Sequence, residues 1–345
     1  MTSSSWQTAR HRIQVPNAHY TPRATRVRPP LQTPYGRVQC NFVRVPGAIA
    51  LSTLALAAVS PFVAAQAPVF RSGVDLVHMG VAVTGPKASL ITDLTADDFE
   101  VYEDGRKQSI RYFATGAPTD ASPPLHLGLL LDVSRSMADD IAFTRTAAIR
   151  FLNTLLDAVD ITLVDFDSEV RVARYPQSDF ARLVERIRQR KLADFTAMYD
   201  AIGIYLDGAA EQEGRKIVLL YTDGADTRSA LRFSELMDLL KASDVTIYAI
   251  GVFSRQADRL MSEQRSVLTR ITEATGGQAY FPQSVKELDK VYAQVVAEIR
   301  AQYTIGYESS NLKADGTWRK VEIKVNRKDS KVRTRQGYFA PLIKP

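Results

Sequence analysis

A single cysteine, Cys40, is all that 345 residues contain. It stands upstream of an expected cleavage position near residue 65. The folded body is therefore expected to have no disulfide, no thiol nucleophile and no cysteine-type zinc site. Histidine is nearly as scarce: only His78 and His126 lie beyond residue 67. His126 falls inside an apolar run and reads as a packed residue rather than a base. There is no Gly-x-Ser-x-Gly elbow, no His-Glu-x-x-His and no phosphate-cradling glycine-rich loop. The expectation is a protein without catalytic activity. A hydrolase using a metal-activated water is the enzymatic alternative, but the sequence offers it no dedicated general base.

Acidic residues are absent from the first 67 positions, which hold seven Arg and no Asp, Glu or Lys. Removing those seven from the 44 Lys and Arg leaves 37 against 38 Asp and Glu, a net of −1 for the rest of the chain. The positive balance belongs to the leader. The body has no overall field to attract phosphates, which argues against nucleic-acid binding.

Long apolar runs are missing beyond the leader, so no later segment is expected to span a bilayer. Residues 48–65 are continuously apolar or small, follow Arg37 and Arg44, and end in Val63-Ala64-Ala65. Small residues there suit the cleavage positions of a signal peptide. Ser52, Thr53, Ser60 and Pro61 make the run a poor permanent span, so no stable membrane span is expected after cleavage. The Pro- and Arg-rich stretch before it is longer than a usual basic n-region. It reads as a disordered extension or as a start placed upstream of the true one, near Val38 or Val43. Arg37-Val38-Gln39 before Cys40 is not a convincing lipobox. Export of a cysteine-free body fits a bacterial periplasmic or extracellular protein.

What is present falls into three regions beyond residues 1–67. Residues 69–118 read as β. Short alternating runs include Val74, Leu76 and His78, then Val81 and Val83. Thr95 to Asp98 resembles a capping box. Asp104-Gly105 between two alternating runs is a hairpin signal. Residues 114–124, with three Pro and one Gly, read as a linker. Residues 123–301 alternate buried strands with amphipathic helices, which implies a doubly wound, mostly parallel α/β sheet. Residues 302–345 return to β. Neither flank is large enough to be stable alone, so the two are expected to pack together as a small β-sandwich flanking or enclosing the α/β domain.

The chemistry concentrates at three places. Asp132-Val133-Ser134-Arg135-Ser136 follows the apolar run 125–131, so one carboxylate and two hydroxyls share a loop. Phe195-Thr196-Ala197 precedes a helix. Thr222-Asp223-Gly224 follows another buried strand. Hydroxyl and carboxylate oxygens are the hard ligands that Mg²⁺ prefers. Loops at the carboxyl ends of such strands are where ligands bind.

In combination and order these pieces resemble the von Willebrand factor A family over about residues 123–302. The flanks resemble the bacterial secreted proteins called VWFA-related, through Leu94-Thr95-x-x-Asp98-Phe99-Glu100, Glu103-Asp104-Gly105, Gln302-Tyr303-x-x-Gly306-Tyr307 and Arg335-x-Gly337-Tyr338. The resemblance implies a Rossmann-like fold and a metal-ion-dependent adhesion site. Ser134 and Ser136 would lie on Mg²⁺ (or Mn²⁺ or Ca²⁺), with Thr196 as a third hydroxyl, direct or through water. Asp132 and Asp223 would orient hydroxyls and waters. Neutral ligands leave the ion's charge largely uncompensated, so a protein partner's Asp or Glu carboxylate can take the open position. The expected function is metal-dependent protein binding or cell adhesion. The alternative is an envelope scaffold whose β-sandwich makes the contacts while the metal site stands idle.

One departure stands out. Where the family often has glycines before the threonine, this chain has Ala193-Asp194-Phe195. Asp194 adds a negative charge that would strengthen cation binding or weaken attraction for an acidic partner. Asp226 reads as a solvated turn residue and Asp200 as a helix-face charge; neither is assigned a role. Seven basic residues between Lys320 and Arg335 read as a solvated strand face.

Overall fold

Strand β5 (Leu125–Asp132) is buried at every position, as expected of a central strand covered on both faces. The computed structural model describes residues 76–116, 123–154, 157–252 and 258–342. All of these lie in one contact unit, Phe70–Pro345. The expected leader, the cleavage position, Cys40 and Val74 fall outside the described residues. Among the described residues no helix is long and apolar enough to cross a membrane.

Ahead of β5 come β1 (Val77–Thr84), β2 (Phe99–Glu103), β3 (Arg106–Gln108) and β4 (Ile110–Ala114). Beyond it the chain alternates: α1 (Ile141–Thr154), β6 (Asp160–Phe166), β7 (Val170–Pro176), α2 (Phe180–Gln189), α3 (Met198–Ala209), β8 (Arg215–Thr222), α4 (Phe233–Ala242), β9 (Thr246–Gly251), α5 (Asp258–Ala274), β10 (Ala279–Tyr280) and α6 (Val285–Ala301). Four strands follow: β11 (Tyr303–Tyr307), β12 (Trp318–Val325), β13 (Lys331–Arg333) and β14 (Gly337–Phe339).

Six strands form the central sheet in the order β10-β9-β8-β5-β6-β7. All neighbours are parallel except the edge hairpin β6–β7. From β5 the chain moves outward through β6 and β7, then returns to lay β8 on the other side of β5. The order reverses there, and this switch point opens a crevice beyond the carboxyl ends of β5 and β8. Leu127, Leu129 and Leu131 share one core with Ala148 and Phe151 of α1, Leu183 of α2 and Tyr292 of α6. Leu130 faces a second core with Ile202 of α3, Leu236 of α4 and Leu268 of α5.

Gly128 lets α3 come close to β5. A Cβ at that position would lie 2.5 Å from the Tyr205 ring and 2.8 Å from Val218 Cγ2. Gly128→Val is expected to lower stability by about 1–3 kcal/mol, the usual cost of overpacking a full core, as read by urea denaturation.

The two flanks interleave in two antiparallel sheets, β13-β1-β11-β4 and β14-β12-β2-β3. Val77 pairs with Tyr307 and Val81 with Tyr303; Val101 pairs with Ile323. Met79, Val81, Phe99, Val101, Tyr303, Tyr307, Val321 and Ile323 fill one core between them. The two short runs expected around His78 and Val83 form one strand. The run after the turn, expected over Gln108 to Phe113, divides at Ser109 into β3 and β4. β3 pairs with β2 and β4 with β11, so the chain changes sheet there. Asp104 and Gly105 both have positive φ, 47° and 80°, the pairing that a two-residue hairpin turn requires.

Arg333 and Arg335 are not part of a solvated face. The Arg333 guanidinium bonds Gly276 O, Gln278 and the buried Glu298 carboxylate of α6. Arg335 donates to Ser243 O at 2.9 Å and His78 O at 2.8 Å. Both clamp the flanking sheets to the α/β layer. Alternation on β13 alone could not show this, because the acceptors are backbone carbonyls and a carboxylate from distant sequence.

Candidate metal-binding loops

Asp132, the last residue of β5, is fully buried. Its Oδ1 accepts the Ser134 N–H at 2.9 Å and its Oδ2 accepts the Thr222 hydroxyl at 2.6 Å. The loop then makes a 3₁₀ turn, Arg135–Met137, pinned by the buried Met137. This brings the Ser134 and Ser136 hydroxyls to 2.9 Å of each other. Ser134 is buried and Ser136 exposed, so the hydroxyl pair faces outward at Ser136.

Asp223 follows β8, is 1 % exposed, and accepts the Ala225 N–H at 2.9 Å. Its charge reaches Asp132. Burial pushes the Asp132 carboxyl up to about 7, against the pull of the Ser134 and Thr222 hydrogen bonds and with the help of Asp223. Unfolded, the group ionises near 3.8. Its folded value is raised, so its ionisation costs the fold stability as pH rises from there to about 7. A nearby cation would offset that cost.

Thr196 is 3 % exposed, and its loop is tied down on three sides. Ala193 N–H donates to Val133 O at 3.1 Å and Ala197 N–H to Asp167 O at 2.8 Å. Thr196 N–H donates to Thr227 Oγ1 at 2.9 Å. Its carbonyl accepts from Thr227 and Arg228 N–H. The loops after β5, β6 and β8 and the one before α3 thus form one hydrogen-bonded cluster at the switch point, carrying all five expected residues. Three hydroxyls and two carboxylates suit a hard divalent cation. Among the described residues no three His, Cys, Asp or Glu side chains gather as a metal cluster; this donor set is mainly hydroxyl.

Three features go beyond the sequence reading. Thr222 braces Asp132 and accepts from Gly224 N–H at 3.1 Å; its place before Asp223 was the only signal. Asp226 is not a solvated turn residue, because its carboxylate accepts Tyr199 N–H at 2.8 Å and the Ser229 hydroxyl at 2.6 Å. Asp200 accepts Ala230 and Leu231 N–H, both at 2.9 Å. These two carboxylates lock α3 to the loop after Asp223. The Asp194 charge is met by Arg135 at 2.8 Å, so it leaves the rim near neutral.

A cavity of about 840 Å³ opens beside Ala193, lined in part by Arg171, Arg186 and Arg190. These guanidiniums close on Asp165, and Arg171 also on Asp167, so its charges are largely satisfied internally.

The family model for the von Willebrand factor type A domain matches residues 126–294. This segment is a von Willebrand factor type A domain. No curated protein matches the chain significantly. Among solved structures, a von Willebrand factor type A protein from Catenulispora acidiphila is 14% identical with a TM-score of 0.44, covering 72% of this chain and 75% of that one. The pilus adhesin SpaC from Lactobacillus rhamnosus GG, in its open conformation, is 10% identical with a TM-score of 0.45, covering 74% and 49%. The domain of the type V pili tip protein Mfa5 from Porphyromonas gingivalis is 13% identical with a TM-score of 0.43, covering 52% and 97%. Within the von Willebrand factor type A domain, Asp132 ends β5 and the other four expected residues lie in the loops at the switch point.

Proposed function

We propose that the chain is an exported, non-catalytic protein-binding module acting in the periplasm or outside the cell. Its type A domain holds Mg²⁺ through Ser134, Ser136 and Thr196, with Asp132 and Asp223 orienting the hydroxyls. A protein partner docks through an Asp or Glu carboxylate. The observation that carries this reading is the Ser134–Ser136 hydroxyl pair, open to solvent at Ser136, in the same loop cluster as the buried Asp132 and Asp223 carboxylates. When bound, the ion supplies Lewis acidity toward an incoming carboxylate. The chain's own residues fix the hydroxyls and confine the acidic charge beneath them.

Titration of MgCl₂ into the full chain by calorimetry tests the site. Wild type is expected to bind. Asp223→Ala is expected to lose about 10- to 100-fold in affinity, the range for losing a ligand-orienting partner, and Ser134→Ala, which removes a ligand itself, at least as much. Equal heats for all three proteins reject the site. Partner capture that persists in EDTA and in Ser134→Ala would instead favour the β-sandwich as the contact surface.

A further inference from the structure

Phe195 precedes Thr196 directly, has φ 63° and is 58% exposed. Both properties are unfavourable. A non-glycine residue in the left-handed region carries a steric cost, and a large aromatic side chain in water forgoes burial. The backbone on either side enforces the conformation: Ala193 N–H is held by Val133 O, Thr196 N–H by Thr227 and Ala197 N–H by Asp167 O. Glycine would meet the same backbone demand without strain. A strained, exposed ring beside a ligand-binding loop is better explained by contact with the ligand than by packing.

We infer that Phe195 selects the partner, by receiving an apolar side chain next to the carboxylate that docks at the metal. This rests on the proposed carboxylate docking and adds the identity of the neighbouring residue. Consecutive Cα atoms are about 3.8 Å apart, so the backbone that carries the ring is one residue from the one that carries the Thr196 hydroxyl. A partner segment anchored at the metal places the residue after its acid within one such step. The rim beside the ring is the Arg135–Asp194 pair at 2.8 Å, whose charges cancel. The pair itself adds no net charge beside the ring. An acidic residue followed by Leu, Ile or Phe fits; an acid in a run of charges does not.

The test uses the full chain and two capped, fluorescently labelled tripeptides, Gly-Asp-Gly and Gly-Asp-Leu, in MgCl₂ and in EDTA, read by anisotropy. Wild type is expected to bind Gly-Asp-Leu about tenfold more tightly, the order for one added apolar contact, and only with Mg²⁺. Phe195→Gly is expected to bind both peptides equally, to keep its magnesium affinity, and to melt no lower than wild type. Equal, magnesium-dependent binding of both peptides by wild type overturns the inference and leaves carboxylate docking intact. A leucine preference that survives in Phe195→Gly also overturns it, assigning the contact to another surface. No magnesium-dependent binding of either peptide rejects carboxylate docking and this inference together.

Discussion

Glu103→Ala is expected to destabilise the flanking sheets by about 3–5 kcal/mol, the cost of removing one partner from a buried ion pair. Glu103 and Arg319 are each 2 % exposed and lie 3.3 Å apart. The carboxylate also accepts the Tyr307 and Tyr338 hydroxyls, both at 2.8 Å, and Ser309 at 2.6 Å. Truncation leaves the buried Tyr307 phenol and the half-buried Tyr338 phenol without their acceptor and the guanidinium without its counter-charge. Chemical denaturation followed by tyrosine fluorescence measures the loss. Burial pushes the Glu103 carboxyl upward, but the bonds from Ser309, Tyr338, Tyr307 and Arg319 outweigh it and hold it below its ordinary 4.5. A depressed folded value means that this stabilisation is complete above pH 4.5 and drains away as pH falls through the folded value. Glu103→Gln, which does not titrate, is expected to flatten the acid limb of a stability–pH curve; an unchanged limb would assign it to other carboxylates.

Arg333→Ala is expected to cost a similar amount, about 3–5 kcal/mol, because it strands the Glu298 carboxylate, 3 % exposed, inside α6. Tyr248 donates to the same oxygen at 2.6 Å, but one phenol does not neutralise a buried charge. Arg333 reaches from β13 to the α/β layer, so its loss is also expected to divide one calorimetric transition into two. Adding Glu298→Gln to Arg333→Ala removes the stranded charge and is expected to recover most of the stability. Failure of the double variant to recover would mean that Arg333 acts through its bonds to Gly276 O and Gln278 instead.

The central sheet was legible because its inner strands β5, β8 and β9 are apolar on both faces and its helices carry one stripe; neither pattern depends on distant residues. Asp132, Ser134 and Ser136 were legible for a related reason: they share one loop with fixed spacing. Thr196 and Asp223 needed the order of motifs as well. What stayed hidden depends on separations of tens to hundreds of residues. Asp226 looks like a turn residue until Tyr199 N–H is seen to point at it. Arg333 and Arg335 look solvated until α6 and Ser243 supply their acceptors. The flank motifs around Glu103, Tyr307 and Tyr338 were visible as separate words. That one carboxylate joins all three is a fact of the fold.

The interleaving of β1 with β11 and of β2 with β12 has a consequence for biosynthesis. Residues 77–103 emerge early from the ribosome, yet their hydrogen-bonding neighbours lie some two hundred positions later. The α/β layer, whose strands pair over shorter separations than those of the flanks, can collapse first. Strand β1, and the edge of β2 away from β3, then wait unpaired until β11 and β12 arrive. A chain truncated before Tyr303 would be left with those edges open and a standing hazard of self-association.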